Sequence, residues 1–236
     1  DGSNLRQLTK TREDESSPCW SPDSRWICFA AKEKEHRSLC KVPAGGGAVV
    51  RVETKGVLNP TEPDWSPDGR RIAFLSDRTG NGEVWVADAD GRNAQQWTFL
   101  KQPRLGAPRW SPDSRRIASA SSDGSVRLWD ADSGLELRQC KETWVQAMAF
   151  SPRGKVLVTA GAFKTIRLWE VTTGKEYNQL KGHNAPIKSL ALSPDGTLLA
   201  SGDQEGTIIL WELGFAKEVT RFIDPEILTW WSELME

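Results

Sequence analysis

Histidine, tyrosine and methionine are scarce in this 236-residue sequence, with two, one and two residues, and cysteine contributes only four. Two imidazoles leave little for general-base chemistry or zinc ligation, and the cysteines include no CxxC pair. No apolar run approaches the ~18 residues of a transmembrane helix. No cationic start leads into an apolar core, as a signal peptide would require. Charge of one sign is also missing: 31 Lys and Arg stand against 32 Asp and Glu. Nucleic-acid and membrane-surface proteins usually carry a basic excess, so neither partner is expected. A chain this long buries about 70–75% of its unfolded surface and folds without a metal or a disulfide. Cys19 and Cys28 flank one predicted hairpin turn symmetrically and could face each other across it, as buried thiols rather than a disulfide. Unpatterned cysteines tilt the expected compartment to the cytoplasm. The chain begins at Asp1 instead of Met, as expected of a processed or excerpted piece.

What is present is repetition. Ser-Pro pairs begin at Ser21, Ser66, Ser111, Ser151 and Ser193, at spacings of 45, 45, 40 and 42 residues. These are five repeats of the length of a four-stranded propeller blade. In each, a short strand ends at Trp20, Trp65, Trp110, Phe150 or Leu192, and a turn SPDS, SPDG or SPRG follows. Pro sets φ for the first turn position, Asp can bond the backbone two residues on, and Gly supplies positive φ. An apolar strand, a polar loop, a third strand such as "TIRLWE", a Gly-containing turn and a fourth strand complete the unit. The fold expected is an all-β, five-bladed propeller of four-stranded antiparallel blades. It spans residues 1–222, in repeats of about 10–56, 57–102, 103–142, 143–183 and 184–222. Residues 1–9 resemble "DGRNAQQWT" of the second repeat and are expected to form an outer strand that closes the ring, in competition with "KEVTRF" at 217–222. A fragment of a larger propeller, or a ring built by two chains, is the structural alternative.

The repeated residues carry two resemblances. "EPDWSPDGRRIAFLSDRTGNGEVWVADADGRNAQQWT" resembles a TolB-type propeller repeat, and repeats one and two share its pattern. "TIRLWEVTTGKEYNQLKGH" and "PIKSLALSPDGTLLASGDQEGTIILWE" resemble WD repeats. Repeat three changes from one to the other between Ala118 and Gly124, which reads as a hybrid, either natural or an engineered or excised chimera. The WD resemblance implies a structural hydrogen-bonded tetrad. Repeat five supplies His183, Ser201 and Trp211, with Glu205 where Asp is usual. Repeat four has Trp169 with Phe163 at the Asp position and Glu142-Thr143 in place of Gly-His; repeat three has Asp123 and Trp129 without His. Apolar packing is expected to replace most of the tetrad.

The chemistry-bearing candidates are few. His36 sits in a charged hairpin loop, His183 reads as a structural hydrogen bonder, and no GxSxG elbow is present. No catalytic residue, cofactor or metal is therefore expected. Asp77, Asn81 and Glu83 could offer oxygen ligands but lack calcium-loop spacing. "AGGGA" at 44–48 precedes a strand, so it reads as a hairpin turn rather than a phosphate cradle. Arg70-Arg71 and Arg115-Arg116 recur at equivalent blade positions, where Trp26 replaces Arg71 in repeat one, and read as a solvated edge. Residues 223–236 place Ile227, Trp230, Trp231 and Leu234 on one face of an expected amphipathic helix. Both resemblances imply a non-catalytic scaffold that binds protein or peptide, monomeric or self-associating through that helix. Trp144, His183, Trp230 and Trp231 are the candidate partner-binding residues, and the loops at His183–Pro186 and Asn59–Pro63 are further candidates. The alternatives are a chimera with no evolved function and a channel-site hydrolase or lyase.

Overall fold

The computed structural model describes residues 5–10, 14–33, 36–100, 106–121, 123–142, 144–214 and 217–223. The chain is an all-β propeller of five four-stranded antiparallel blades. The first blade is β1 Glu15–Trp20, β2 Trp26–Glu33, β3 His36–Pro43 and β4 Val50–Val52; the second is β5 Thr61–Trp65, β6 Arg71–Ser76, β7 Glu83–Asp88 and β8 Gln95–Gln96. The third is β9 Arg109–Trp110, β10 Arg116–Ser121, β11 Ser125–Asp130 and β12 Glu136–Lys141. The fourth is β13 Val145–Phe150, β14 Val156–Gly161, β15 Thr165–Glu170 and β16 Glu176–Lys181; the fifth is β17 Ile187–Leu192, β18 Leu198–Asp203, β19 Thr207–Glu212 and β20 Lys217–Ile223. Among the described residues there is no helix, and so none long and apolar enough to cross a membrane.

Side-chain hydrogen bonds explain why the SPDx turn recurs. In the first three blades and the fifth, the Ser hydroxyl donates to the Asp carboxylate at 2.5–2.7 Å. The same carboxylate accepts the amide two residues on at 3.0–3.1 Å. These local bonds close the turn before any packing is needed. They also hold the Asp carboxyls below their ordinary range. At Asp23 and Asp195 the Ser hydroxyl is the main cause, and Asp195 falls to about 2. At Asp68 and Asp113 partial burial pulls upward and is outweighed by the hydroxyl and amide donors. Blade four has Arg153 at this position and keeps only the bond from the Val156 amide to Ser151 Oγ, 3.1 Å.

The chain divides into two compact units, residues 1–119 with 130–135, and residues 120–129 with 136–236. The first unit packs Cys28, Leu39, Ile72, Phe74 and Trp85 into a core, with Trp65 partly buried against it. Cys19 and Cys28 are register partners across β1 and β2, and no cysteine is in a disulfide. Gly91 shows why a side chain is excluded at one turn: its φ is +92°, and a Cβ would meet the Glu53 carbonyl oxygen at 2.7 Å. The second unit packs Val158, Ile166, Leu168, Ile187, Leu199 and Ile209 at 0% exposure. The chain crosses between the units inside β10, where the repeat pattern changes, and again inside β11 and at the start of β12.

The expected outer strand at 1–9 does not form in its described part. Residues 5–10 carry no strand; Leu8 packs against Phe29, Ala31, Cys40 and Val42 of the first blade, and Arg6 donates to the Ala44 carbonyl at 2.8 Å. The fourth place of the fifth sheet belongs to β20, whose ladder with β19 runs from Thr207–Ile223 to Glu212–Lys217. Leu8 packing and a few side-chain hydrogen bonds hold the N-terminal segment, whereas β20 pairs along its length with β19, with one register shift at Leu210–Trp211. The helix expected at 223–236 lies, beyond Ile223, outside the described residues, and Trp230 and Trp231 with it.

Candidate functional site

In the fifth blade, four side chains from three places in the chain meet. His183 comes from the loop before β17, Ser201 from β18, Asp203 from its end and Trp211 from β19. His183 Nδ1 is 2.7 Å from Asp203 Oδ2, His183 Nε2 is 2.7 Å from Ser201 Oγ, and Trp211 Nε1 donates to the same hydroxyl at 2.8 Å. Asp203 accepts from Nδ1–H, and Nε2 shares a hydrogen bond with the Ser201 hydroxyl, which also reaches the Ile209 carbonyl at 3.4 Å. The other Asp203 oxygen accepts the Glu205 and Thr207 amides, each at 3.0 Å. Asp203 therefore links the β18–β19 turn to the imidazole, in the role expected of Glu205. The shorter side chain at the strand end reaches both the turn amides and the ring.

This Ser-His-Asp order is that of a hydrolase triad. Accessibility decides against that use, because the His183 and Asp203 side chains are 0% exposed and Ser201 is 1% exposed. Ser201 also receives the indole N–H, so its oxygen points into packed protein. His183 is consequently a fold-holding residue and not part of a partner-binding surface. Apolar packing did not replace this network, contrary to expectation, because every polar atom in it finds a partner.

The fourth blade builds the same arrangement around a carboxylate. Trp169 Nε1 donates to Thr159 Oγ1 at 2.7 Å, and the Thr159 hydroxyl bonds Glu142. Glu142 lies 3.7 Å from Arg167 Nε, and Arg167 pairs with Glu176 at 2.6 Å. Burial pushes the Glu142 carboxyl up to about 6, against Thr159, Arg167 and Trp169, which pull it down. Arg127 repeats the pairing one blade earlier, with Asp123 at 2.7 Å and Glu136 at 3.2 Å. At the place of Asp123 the fourth blade has Phe163.

Glu142, Arg167, Asp123 and Phe163, with Gln139 and Lys141, line an open cleft of about 460 Å³ within the second unit. Two aromatic side chains stand out at this loop end, Trp144 at 67% and Phe163 at 60% exposure. Trp144 has φ +57°, a left-handed conformation that bulky residues rarely adopt. Gly161 accommodates it, since a Cβ there would meet the Trp144 carbonyl oxygen at 2.0 Å, and the Ala162 amide donates to that oxygen at 3.2 Å. Strained backbone with an exposed aromatic is a pattern associated with function.

A family model, the TolB beta propeller domain, matches residues 6–196. The chain belongs to the TolB β-propeller family. Of solved structures, TolB from Acinetobacter baumannii superposes on this TolB-type chain with a TM-score of 0.72 at 21% identity, over 92% of this chain and 56% of that one. The chain thus spans little more than half of that TolB, and the likeness speaks for the fold. No curated protein sequence matches. The family match continues through the fourth repeat, whose residues had resembled a WD repeat.

The remaining candidates of this TolB-type propeller fall in tied-down places. The Asn59 carboxamide accepts the Arg37 amide at 3.0 Å and donates to Asp77 at 3.1 Å, which secures the Asn59–Pro63 loop. Glu83 is buried and accepts from Thr98 and from the Leu100 amide, so it turns away from Asp77. Arg71, read as a solvated edge, is 22% exposed and stacks on Trp110. Sequence reasoning also missed Asp64, which accepts the Trp110 amide at 2.7 Å; burial raises its carboxyl against the pull of Arg109 and that amide.

Proposed function

We propose that this TolB-type propeller is a non-catalytic scaffold that binds a protein or peptide segment at the cleft beside Glu142, Trp144 and Phe163. TolB-like propellers generally serve protein interaction. The observation that carries the reading is Trp144, held in a left-handed backbone with its side chain 67% exposed. Aromatic anchors of this kind dominate binding energy at interfaces. Lys141, Arg167, Asp123 and Glu142 supply both charge signs around the cleft, as a polar rim requires. Selection of peptides from a displayed library on the whole chain tests it. Selected peptides lose about tenfold or more in affinity on Trp144→Ala and Phe163→Ala, and keep it on Tyr177→Ala, an exposed residue of β16. Peptides whose binding ignores both cleft variants would overturn the site.

A hybrid origin is part of the same proposal, supported by the Ser201–Trp211 and Thr159–Trp169 bonds in blades four and five. Sequences of related chains check it. WD-type His, Ser or Thr, and Trp sets are expected in the last two repeats only, and their presence in the first two would defeat it.

A further inference from the structure

Within the first unit, the turns between first and second strands create two equivalent clefts, and the chain fills them differently. Where blade two meets blade three, Arg71 leaves the start of β6 and lies over Trp110, 5.0 Å from the ring centre. Its guanidinium donates to the Ala131 carbonyl, to the Ser114 carbonyl at 3.4 Å and to the Asp132 carboxylate at 3.3 Å. An indole face, two carbonyls and a carboxylate around a planar cation form a guanidinium site, occupied here by the protein's own arginine.

Where blade one meets blade two, equivalent positions recur without the plug, and the Trp65 N–H meets the Gly69 carbonyl where that of Trp110 meets the Asp64 carbonyl. Trp65 takes the place of Trp110 and Gly69 that of Ser114. Ala89 takes the place of Ala131: its amide bonds the Arg70 carbonyl as the Ala131 amide bonds that of Arg115, both at 2.8 Å. Asp90 then corresponds to Asp132, but it pairs with Arg92 at 3.4 Å and lies outside the cleft lining. Trp26 stands where Arg71 would be, so the plug is absent, and a cleft of about 320 Å³ lies between Trp26, Trp65, Asp23, Asp68 and Lys41. Lys41 reaches in from β3, at the register position of Val86 in blade two. Its ammonium is 5.2 Å from the Trp26 ring and 5.9 Å from Trp65, and its hydrogen bond to the Ala89 carbonyl is 3.4 Å long. A point-like ammonium uses this site poorly. A guanidinium, flat and with five donors, suits the indole faces and the carbonyls better. The Gly69 carbonyl already accepts Trp65 Nε1 at 3.2 Å and retains a second lone pair. Asp23 and Asp68 stand on the cleft wall, each held by its own turn donors, with Arg25 3.9 Å from Asp23 and Arg70 and Arg71 near Asp68, so recognition falls to the indole faces and the carbonyls.

The geometry points to a guanidinium-binding cleft between blades one and two: an arginine side chain of a partner, or a free guanidino compound, lies against Trp26 and Trp65 and displaces the Lys41 ammonium into solvent. The site is independent of the cleft at Trp144. Lys41 acts as a weak internal competitor, as its long stem allows.

The test follows the indole N–H resonances of Trp26 and Trp65 in the whole chain, titrated with N-acetyl-arginine amide, free L-arginine, N-acetyl-lysine amide and an arginine-containing peptide. Both arginine compounds are expected to shift them, and the lysine analogue to bind about tenfold more weakly or not at all. Lys41→Ala tightens arginine binding several-fold. Trp26→Arg, which supplies the plug that blade two already has, abolishes it, with melting temperature as the check on folding. Trp65→Leu weakens it about tenfold. A free amino acid binding as well as the peptide identifies a small guanidino ligand; a peptide binding much more tightly identifies a protein partner. Loss of binding in Lys41→Ala would show that Lys41 helps to form the site instead of competing for it and would overturn the proposal, as would equal binding of the lysine analogue or undiminished binding by Trp26→Arg.

Discussion

The two compact units solve one problem in different ways: what to do with the N–H of a buried tryptophan. In the second unit, Trp169 and Trp211 sit on third strands and donate to Thr159 and Ser201 of their own blades. In the first unit, Trp65 and Trp110 end first strands and donate to backbone carbonyls near the turns, those of Gly69 and Asp64. The third-strand Trp85 there is buried, and its N–H has no partner among the described residues. An indole offers one donor and no acceptor, so its cheapest partner is whatever oxygen lies at the ring edge. A hydroxyl on the neighbouring strand then recruits further groups, and a network grows. A backbone carbonyl ends the chain of bonds and leaves the surrounding space for stacking, as Arg71 on Trp110 illustrates.

Breaking the network of the fifth blade has the largest expected effect. His183→Ala leaves Asp203 as a buried carboxylate without its imidazole and is expected to cost about 3–4 kcal/mol in urea unfolding. A loss under about 1 kcal/mol would mean that the network behaves as a surface pair. Glu142→Gln probes the carboxylate version. With its pKa raised to about 6, Glu142 binds its proton more tightly in the folded state, so its ionisation lowers stability as pH rises from about 4.5 to above 6. The amide variant is expected to be more stable than the parent at pH 8 by about 1–2 kcal/mol and to lose that advantage near pH 4. A pH-independent difference across those melting curves would refute the assignment.

The smallest effect concerns the turns that both units share. Arg153→Asp restores the side-chain bonds missing from blade four and is expected to raise the melting temperature by about 1–2 °C at pH 7. The new carboxyl should resemble Asp195, whose lowered pKa makes its contribution present above about pH 4 and lost as pH falls toward 2. Thermal melts at pH 7 and pH 2.5 check both the gain and its disappearance.

The turn was legible because its chemistry lies within six residues: Ser, Pro, Asp and Gly each act on their own backbone. Much of the fifth-blade network was legible too, since His183, Ser201 and Trp211 occupy recognisable repeat positions. The acid was misread as Glu205 because both carboxylates fall in one short turn, and only the backbone path determines which one faces the ring. Glu142 bonded to Thr159 from the position before that of His183, Asp64 under the Trp110 amide and Arg71 on Trp110 join residues 17 to 46 apart in sequence. No periodicity announces them.

By itself, the sequence determined that there would be five four-stranded blades, where each would turn, and that no excess charge or run of apolar residues would govern the molecule. These follow from local backbone preferences repeated every 40–45 residues. Tertiary structure alone decided that Ser201, His183 and Asp203 would be sealed from solvent, that Trp144 would stand exposed, and that one of two matching clefts would be plugged by Arg71 while the other stayed open around Lys41. Burial and stacking depend on which strands become neighbours, and that is a property of the packed blades rather than of any one repeat.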